Sequence, residues 1–104
     1  IIIKPGAVID PLVQIGDHAY IGSCSTIGHH TVINDYTNIV SGVNISGHSI
    51  IGSRTHVGTG VSIKDRIKIG NDVLIGAGSV VTKDIPDNTL AKGVPARFRP
   101  LKKE

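Results

Sequence analysis

Every sixth residue from Ile3 to Val81 is isoleucine or valine: Ile3, Ile9, Ile15, Ile21, Ile27, Ile33, Ile39, Ile45, Ile51, Val57, Ile63, Ile69, Ile75 and Val81, without a break. Two residues before each stands a small or β-branched partner, among them Ala19, Ser25, Thr31, Thr37, Val43 and Thr55. Residues two apart in a strand point to the same side, so both members of each pair face inward. Glycine follows the aliphatic at positions 16, 22, 28, 52, 58, 70 and 76, with Asp10 and Asn34 in the same place. These residue types tolerate the positive φ of a sharp bend, so the corner is expected there. One hexapeptide then makes one flat face and one corner, and three close a triangular coil. Coils stacked about 4.8 Å apart pair their strands in parallel, and residues 3–81 give a prism roughly 20 Å tall. A strict six-residue period leaves no helical stripe. The chain reads as all-β.

Composition agrees where it matters. Aromatics are 3% of 104 residues, too few to fill a globular core with rings, while Gly reaches 13. The formal net charge of +3 is local: residues 90–104 hold Lys92, Arg97, Arg99, Lys102 and Lys103 against Glu104 alone. That is a basic tail and not a nucleic-acid face. A single cysteine, Cys24, excludes an internal disulfide and suggests a reducing, cytoplasmic setting. No apolar run reaches about 18 residues, so no membrane insertion is expected. The expected organisation is a coil domain over 1–86 and a basic tail over 87–104. The chain opens on "IIIKPG" without Met, which raises the expectation of a preceding substrate-binding domain. A thin prism buries little surface per residue, so a lone coil is marginal, and its ends leave unpaired strand edges.

Five histidines stand outside the inward slots: His18, His29, His30, His48 and His56. Residues eighteen apart lie one above the other, which puts His29 under Gly47 and His30 under His48. An imidazole beside a bare backbone amide can take a proton from a nucleophile while the amide holds a developing oxyanion. A free imidazole has a pKa of about 6.5, so histidines as a class supply neutral base at neutral pH.

The unbroken repeat resembles the hexapeptide-repeat acyltransferase family, whose members form a left-handed parallel β-helix and usually trimerise through their flat faces, so a homotrimer is implied. The left hand is implied by the resemblance alone, since crossovers between parallel strands are otherwise right-handed. The stretch "STIGHHTVINDYTNIVSGVNISGHSIIG" is similar to the branch containing sialic acid O-acetyltransferases and UDP-amino-sugar N-acetyltransferases of bacterial surface-glycan synthesis. That resemblance implies His29 as general base, the Gly47 amide against the thioester carbonyl, and Asn38 near the acetyl group. His30 departs from the usual acidic neighbour of the base, and Asn38 from a frequent histidine.

The C-terminal "DIPDNTLAKGVPAR" is similar to the signature of coenzyme A-dependent members. It implies acetyl-coenzyme A as co-substrate, held between subunits past Gly58, Thr59, Gly76, Ala77 and Gly78. Lys92, Gly93, Arg97 and Arg99 would meet the nucleotide end. Glycines permit close approach, and arginine grips phosphate with a bidentate fork. A sugar or nucleotide-sugar acceptor follows by the same resemblance.

Three other readings compete. A carbonic anhydrase-like zinc enzyme needs converging imidazoles, and the H-x-x-x-x-H pair of that class is missing, so no metal is expected. A non-catalytic β-solenoid leaves the His29/Gly47 notch and the coenzyme A-like tail without a purpose. The maltose, galactoside and antibiotic acetyltransferases share the tail, but they typically break the coil with a long loop.

Overall fold

A computed structural model describes residues 1–101; Lys102, Lys103 and Glu104 of the basic tail lie outside the described residues. Fourteen two-residue strands follow the period: β1 (Ile2–Ile3), β2 (Val8–Ile9), β3 (Gln14–Ile15), β4 (Tyr20–Ile21), β5 (Thr26–Ile27), β6 (Val32–Ile33), β7 (Asn38–Ile39), β8 (Asn44–Ile45), β9 (Ile50–Ile51), β10 (His56–Val57), β11 (Ser62–Ile63), β12 (Lys68–Ile69), β13 (Leu74–Ile75) and β14 (Val80–Val81). Two longer strands close the chain, β15 (Thr89–Lys92) and β16 (Arg97–Pro100). No helix occurs among the described residues.

The strands sort into three faces of a parallel β-solenoid. β1, β4, β7, β10 and β13 form the first, β2, β5, β8, β11 and β14 the second, and β3, β6, β9 and β12 the third. The repeat-to-repeat register is eighteen throughout, as in Tyr20↔Asn38 and Asn38↔His56. After Val81 the coil shortens: Ile69 bridges Ile85 and Leu74 pairs with Leu90, both sixteen residues on. β15 thus continues the first face, and β16 folds back on it antiparallel.

Inside, the aliphatic ladder is sealed from Ile21 to Val81, with exposures of 0–1% along it. Fully burying one such side chain stabilises by about 1.5–3 kcal/mol. The first coil is open, and Ile3 remains 48% exposed. The second inward slot often carries a hydroxyl with two bonds. Thr55 is fully buried; its Oγ1 donates to Gly70 O at 2.7 Å and accepts from Val73 N at 3.3 Å. Ser25 Oγ donates to Val40 O and accepts from Val43 N in the same way. The slot therefore ties each coil to corner peptides of the next, and no described buried side-chain polar atom lacks a partner.

The corners differ from the sequence expectation. The glycines after the aliphatic are not in the left-handed region; that conformation falls two residues later, at Leu12, His18, Cys24, His30, Tyr36, His48, Arg54, Arg66, Asp72 and Asn88. The glycines serve close approach instead. A Cβ on Gly22 would overlap the Val40 carbonyl, and one on Gly52 the Gly70 carbonyl. Coil spacing, not φ, excludes side chains there. The left-handed position faces outward, so it accepts almost any residue at a modest conformational cost.

Candidate active site

The left-handed corner residues stack into three columns along the three edges of the prism. One edge carries Leu12, His30, His48 and Arg66; the second His18, Tyr36, Arg54 and Asp72; the third Gly6, Cys24, Gly42, Gly60 and Gly78. A side chain on such a corner points to solvent, so the edges are where chemistry can be displayed.

On the first edge three imidazoles meet. His29 Nδ1 lies 3.1 Å from His30 Nδ1, with the two rings nearly perpendicular at 86°. The His30 and His48 rings stack 4.7 Å apart at 4°, and the edge of His29 meets His48 at 4.9 Å. The main chain supports the stack, since His48 N donates to His29 O at 2.9 Å and Arg66 N to Gly47 O at 3.0 Å. Neighbouring groups that displace water hold the His48 imidazole below its ordinary range; the Arg66 guanidinium and the rings of His30 and His29 push the same way, against Asp65.

Directly above His29 is Gly47. A Cβ there would stand 2.9 Å from His29 Nε2 and 3.1 Å from Cε1, so the missing side chain makes room for the ring. The Gly47 N–H has no acceptor among the described residues. Below it Gly28 keeps the amide uncovered, because a Cβ at that position would press on Gly47 N at 2.5 Å. The result is an imidazole nitrogen and a free amide donor bordering one notch.

Asn38 is elsewhere. It lies on β7, on the first face, where Asn38 Nδ2 contacts His56 Nδ1 at 3.2 Å. A shallow groove of about 480 Å³ runs beside it, lined by His18, Tyr20, Tyr36, Thr37, Asn38 and Val40. The His18 ring stacks on Tyr36 at 5.0 Å. Within one protomer Asn38 does not join His29 and Gly47.

Gly58, Thr59, Gly76, Ala77 and Gly78 are on the third edge. Gly60 and Gly78 have open space where a Cβ would go. At the C-terminal end of this edge a groove of about 590 Å³ is lined by Ala77, Leu90, Lys92, Gly93, Arg97, Phe98 and Arg99. Here the structure gathers Ala77, Lys92, Gly93, Arg97 and Arg99. It adds Leu90 and Phe98, which the sequence reading passed over because the β15–β16 hairpin lies outside the six-residue period. The walls combine apolar surface with three cations, a composition suited to an anionic ligand with an apolar arm.

Residues 1–35 and 48–83 match the family described as bacterial transferase hexapeptide (six repeats). No curated protein matches in sequence. Among solved structures, the acetyltransferase domain of PglB from Neisseria gonorrhoeae FA1090, also seen in complex with acetyl coenzyme A, is 27% identical over 91% of this chain and 55% of that one, with a TM-score of 0.77. PerB from Caulobacter crescentus, solved with CoA and GDP-perosamine, is 30% identical over 93% of this chain and 56% of its own, with a TM-score of 0.63. Serine acetyltransferase (CysE) from Neisseria gonorrhoeae is 32% identical over 91% and 42%, with a TM-score of 0.82. The chain spans little more than half the length of the first two.

Proposed function

We propose, because the chain belongs to the bacterial transferase hexapeptide family, that it is an acetyl-coenzyme A-dependent acetyltransferase acting on a sugar or amino-sugar, nucleotide-linked where the acceptor resembles that of PerB. The observation that carries the proposal is the notch in which His29 Nε2 faces the side-chain-free Gly47 and its unused N–H. PglB and PerB are both similar over nine-tenths of this chain; PglB, seen with acetyl coenzyme A, supports the acetyl donor, and PerB, seen with GDP-perosamine, supports the amino-sugar class of acceptor.

The chemistry is direct transfer. His29 Nε2 removes the proton from the acceptor hydroxyl or amine as it attacks the thioester carbonyl. The carbonyl oxygen becomes an oxyanion facing the Gly47 N–H, a preorganised donor that needs no reorientation. The tetrahedral intermediate expels the thiolate of coenzyme A, which takes the proton back from His29. For Nε2 to be the base, the other ring nitrogen must hold the proton. His29 Nδ1–H then donates to His30 Nδ1 at 3.1 Å, so His30 is a positioning residue that selects the tautomer. It does so as a neutral acceptor, in the place where a carboxylate would add charge.

The third-edge groove is the site for the coenzyme: Arg97, Arg99 and Lys92 for the phosphates, Gly93 for close approach, and Gly58, Thr59, Gly76, Ala77 and Gly78 for the pantetheine arm. His29 and this groove occupy different edges of one prism, and Asn38 sits on the face between the second and third edges. The site is complete only when a second protomer brings its own edge alongside, which fits a trimer of parallel prisms. Among the described residues no helix is long and apolar enough to cross a membrane; a cytoplasmic enzyme is proposed. The test is acetyl transfer from acetyl-coenzyme A to a panel of amino-sugars, nucleotide amino-sugars and serine. Turnover of an amino-sugar above serine supports the reading; turnover of serine alone would replace it, and thioester hydrolysis without an acceptor would remove it.

A further inference from the structure

We infer that His29, His30 and His48 form a three-imidazole site for a divalent transition-metal ion, zinc above all, and that the bound ion locks the base in the wrong tautomer. The ligating ring nitrogens of the three residues lie within 4.8 Å of one another, and all three side chains are exposed. Two ligands on a tetrahedral zinc, each about 2.0–2.1 Å from the ion, stand about 3.3 Å apart. The Nδ1 atoms of His29 and His30 already stand 3.1 Å apart, on rings that meet nearly at right angles. The His29 and His30 rings have to tilt so that both nitrogens face the ion, and His48 has to swing out of its parallel stack on His30.

The stack places two imidazoles on consecutive coils at the same edge, and His29 closes the triangle from the flank. Imidazole nitrogen suits zinc, copper and nickel, and three protein ligands leave a fourth position for water. The surrounding charge is divided: Arg66 stands above His48, and Asp65, 3.7 Å from the Arg66 Nε, offsets it. Nothing in the six-residue period requires histidine at any of these positions. The corner accepts leucine at 12 and arginine at 66 in the same column.

Occupancy has a defined consequence for the chemistry, and this half rests on the proposed role of His29. A neutral imidazole holds one proton. With the ion on Nδ1, that proton moves to Nε2, and Nε2 becomes a donor with no lone pair for the acceptor. Ion binding also replaces the hydrogen bond from His29 to His30. The cation therefore switches the base off without closing the notch, and a chelator restores it.

The binding half is tested without any turnover. The full chain is titrated with Co²⁺, whose visible absorption reports tetrahedral nitrogen ligation, and the bound ion is then displaced with Zn²⁺. One saturable equivalent per chain is expected, lost in His48→Asn and in His30→Asn. Asparagine accepts the left-handed φ of 60° and 61° at these corners while removing the imidazole. No saturable site, or retention of it in folded His48→Asn, overturns the proposal. The second half is read as acetyl transfer with and without one equivalent of Zn²⁺: loss in the native chain, reversed by EDTA and absent in His48→Asn, supports the switch. Full turnover of the zinc-loaded chain overturns the switch while leaving the ion site standing. A chain with no transferase activity at all would refute the proposed function and leave the Co²⁺ result to be judged alone.

Discussion

Gly47→Ala is the sharpest perturbation of the notch. The backbone at 47 is not left-handed, so alanine brings no conformational strain. The added methyl would lie 2.9 Å from His29 Nε2, 3.1 Å from Cε1 and 3.2 Å from Cδ2. Ordinary contact is about 3.5–4.0 Å, so the ring must retreat by roughly 0.6–1.1 Å. Because His29 is exposed, it can retreat by rotating its side chain, and the coil need not move. A misplacement of about 1 Å costs on the order of 10²-fold in rate, or about 2.7 kcal/mol of barrier. The expected result is a kcat about two orders of magnitude lower at saturating acetyl-coenzyme A, with a melting temperature close to the parent. Gly22→Ala is the control of opposite sign: its methyl overlaps the Val40 carbonyl, so stability falls instead. A folded Gly47→Ala chain with full kcat would refute the geometry of the notch.

Arg97→Ala with Arg99→Ala should weaken coenzyme A more than dephospho-coenzyme A in calorimetric titration; equal losses would remove the 3′-phosphate contact from the account. Thr55→Val keeps the shape of a buried slot but strips the donor to Gly70 O and the acceptor for Val73 N. Chemical denaturation should show a loss of about 1–3 kcal/mol, and an unchanged midpoint would mean the hydroxyl is dispensable. Sedimentation should find a trimer at micromolar concentration. Co-assembly of inactive His29→Ala protomers with inactive Arg97→Ala/Arg99→Ala protomers should restore part of the activity, because some junctions then carry both intact edges. Continued inactivity of the mixed trimers would place the whole site within one protomer.

The fold was legible because one constraint repeats. Ile21, Ile39, Val57 and Ile75 stack in a single ladder, and the period alone puts them there. The eighteen-residue column likewise carried His29 to Gly47 and His30 to His48, since corner residues inherit the register of the strands beside them. Glycine was misread because two different demands, left-handed φ and close approach, select the same residue. Only three-dimensional spacing separates Gly22, which lacks room for a Cβ, from Gly60, which has room and a positive φ. The sixteen-residue last coil was not legible, because Ile85 and Ala91 enter the core off the period. The same holds for Phe98 and Leu90 in the groove. A three-imidazole cluster escaped the search for H-x-x-x-x-H because its members come from two coils. The hand of the coil is not a property of spacing; it came only with the family resemblance.

The central claim is that His29 is the proton acceptor and His30 its positioning partner. It is tested most directly by the pre-steady-state rate of acetyl transfer for His29→Ala and His30→Ala at saturating acetyl-coenzyme A, with coenzyme A affinity measured alongside. His29→Ala should lose about 10²–10⁴-fold in rate with affinity kept, and His30→Ala should lose distinctly less. If His30→Ala proves the more damaging while both chains still bind coenzyme A, the base has been assigned to the wrong ring.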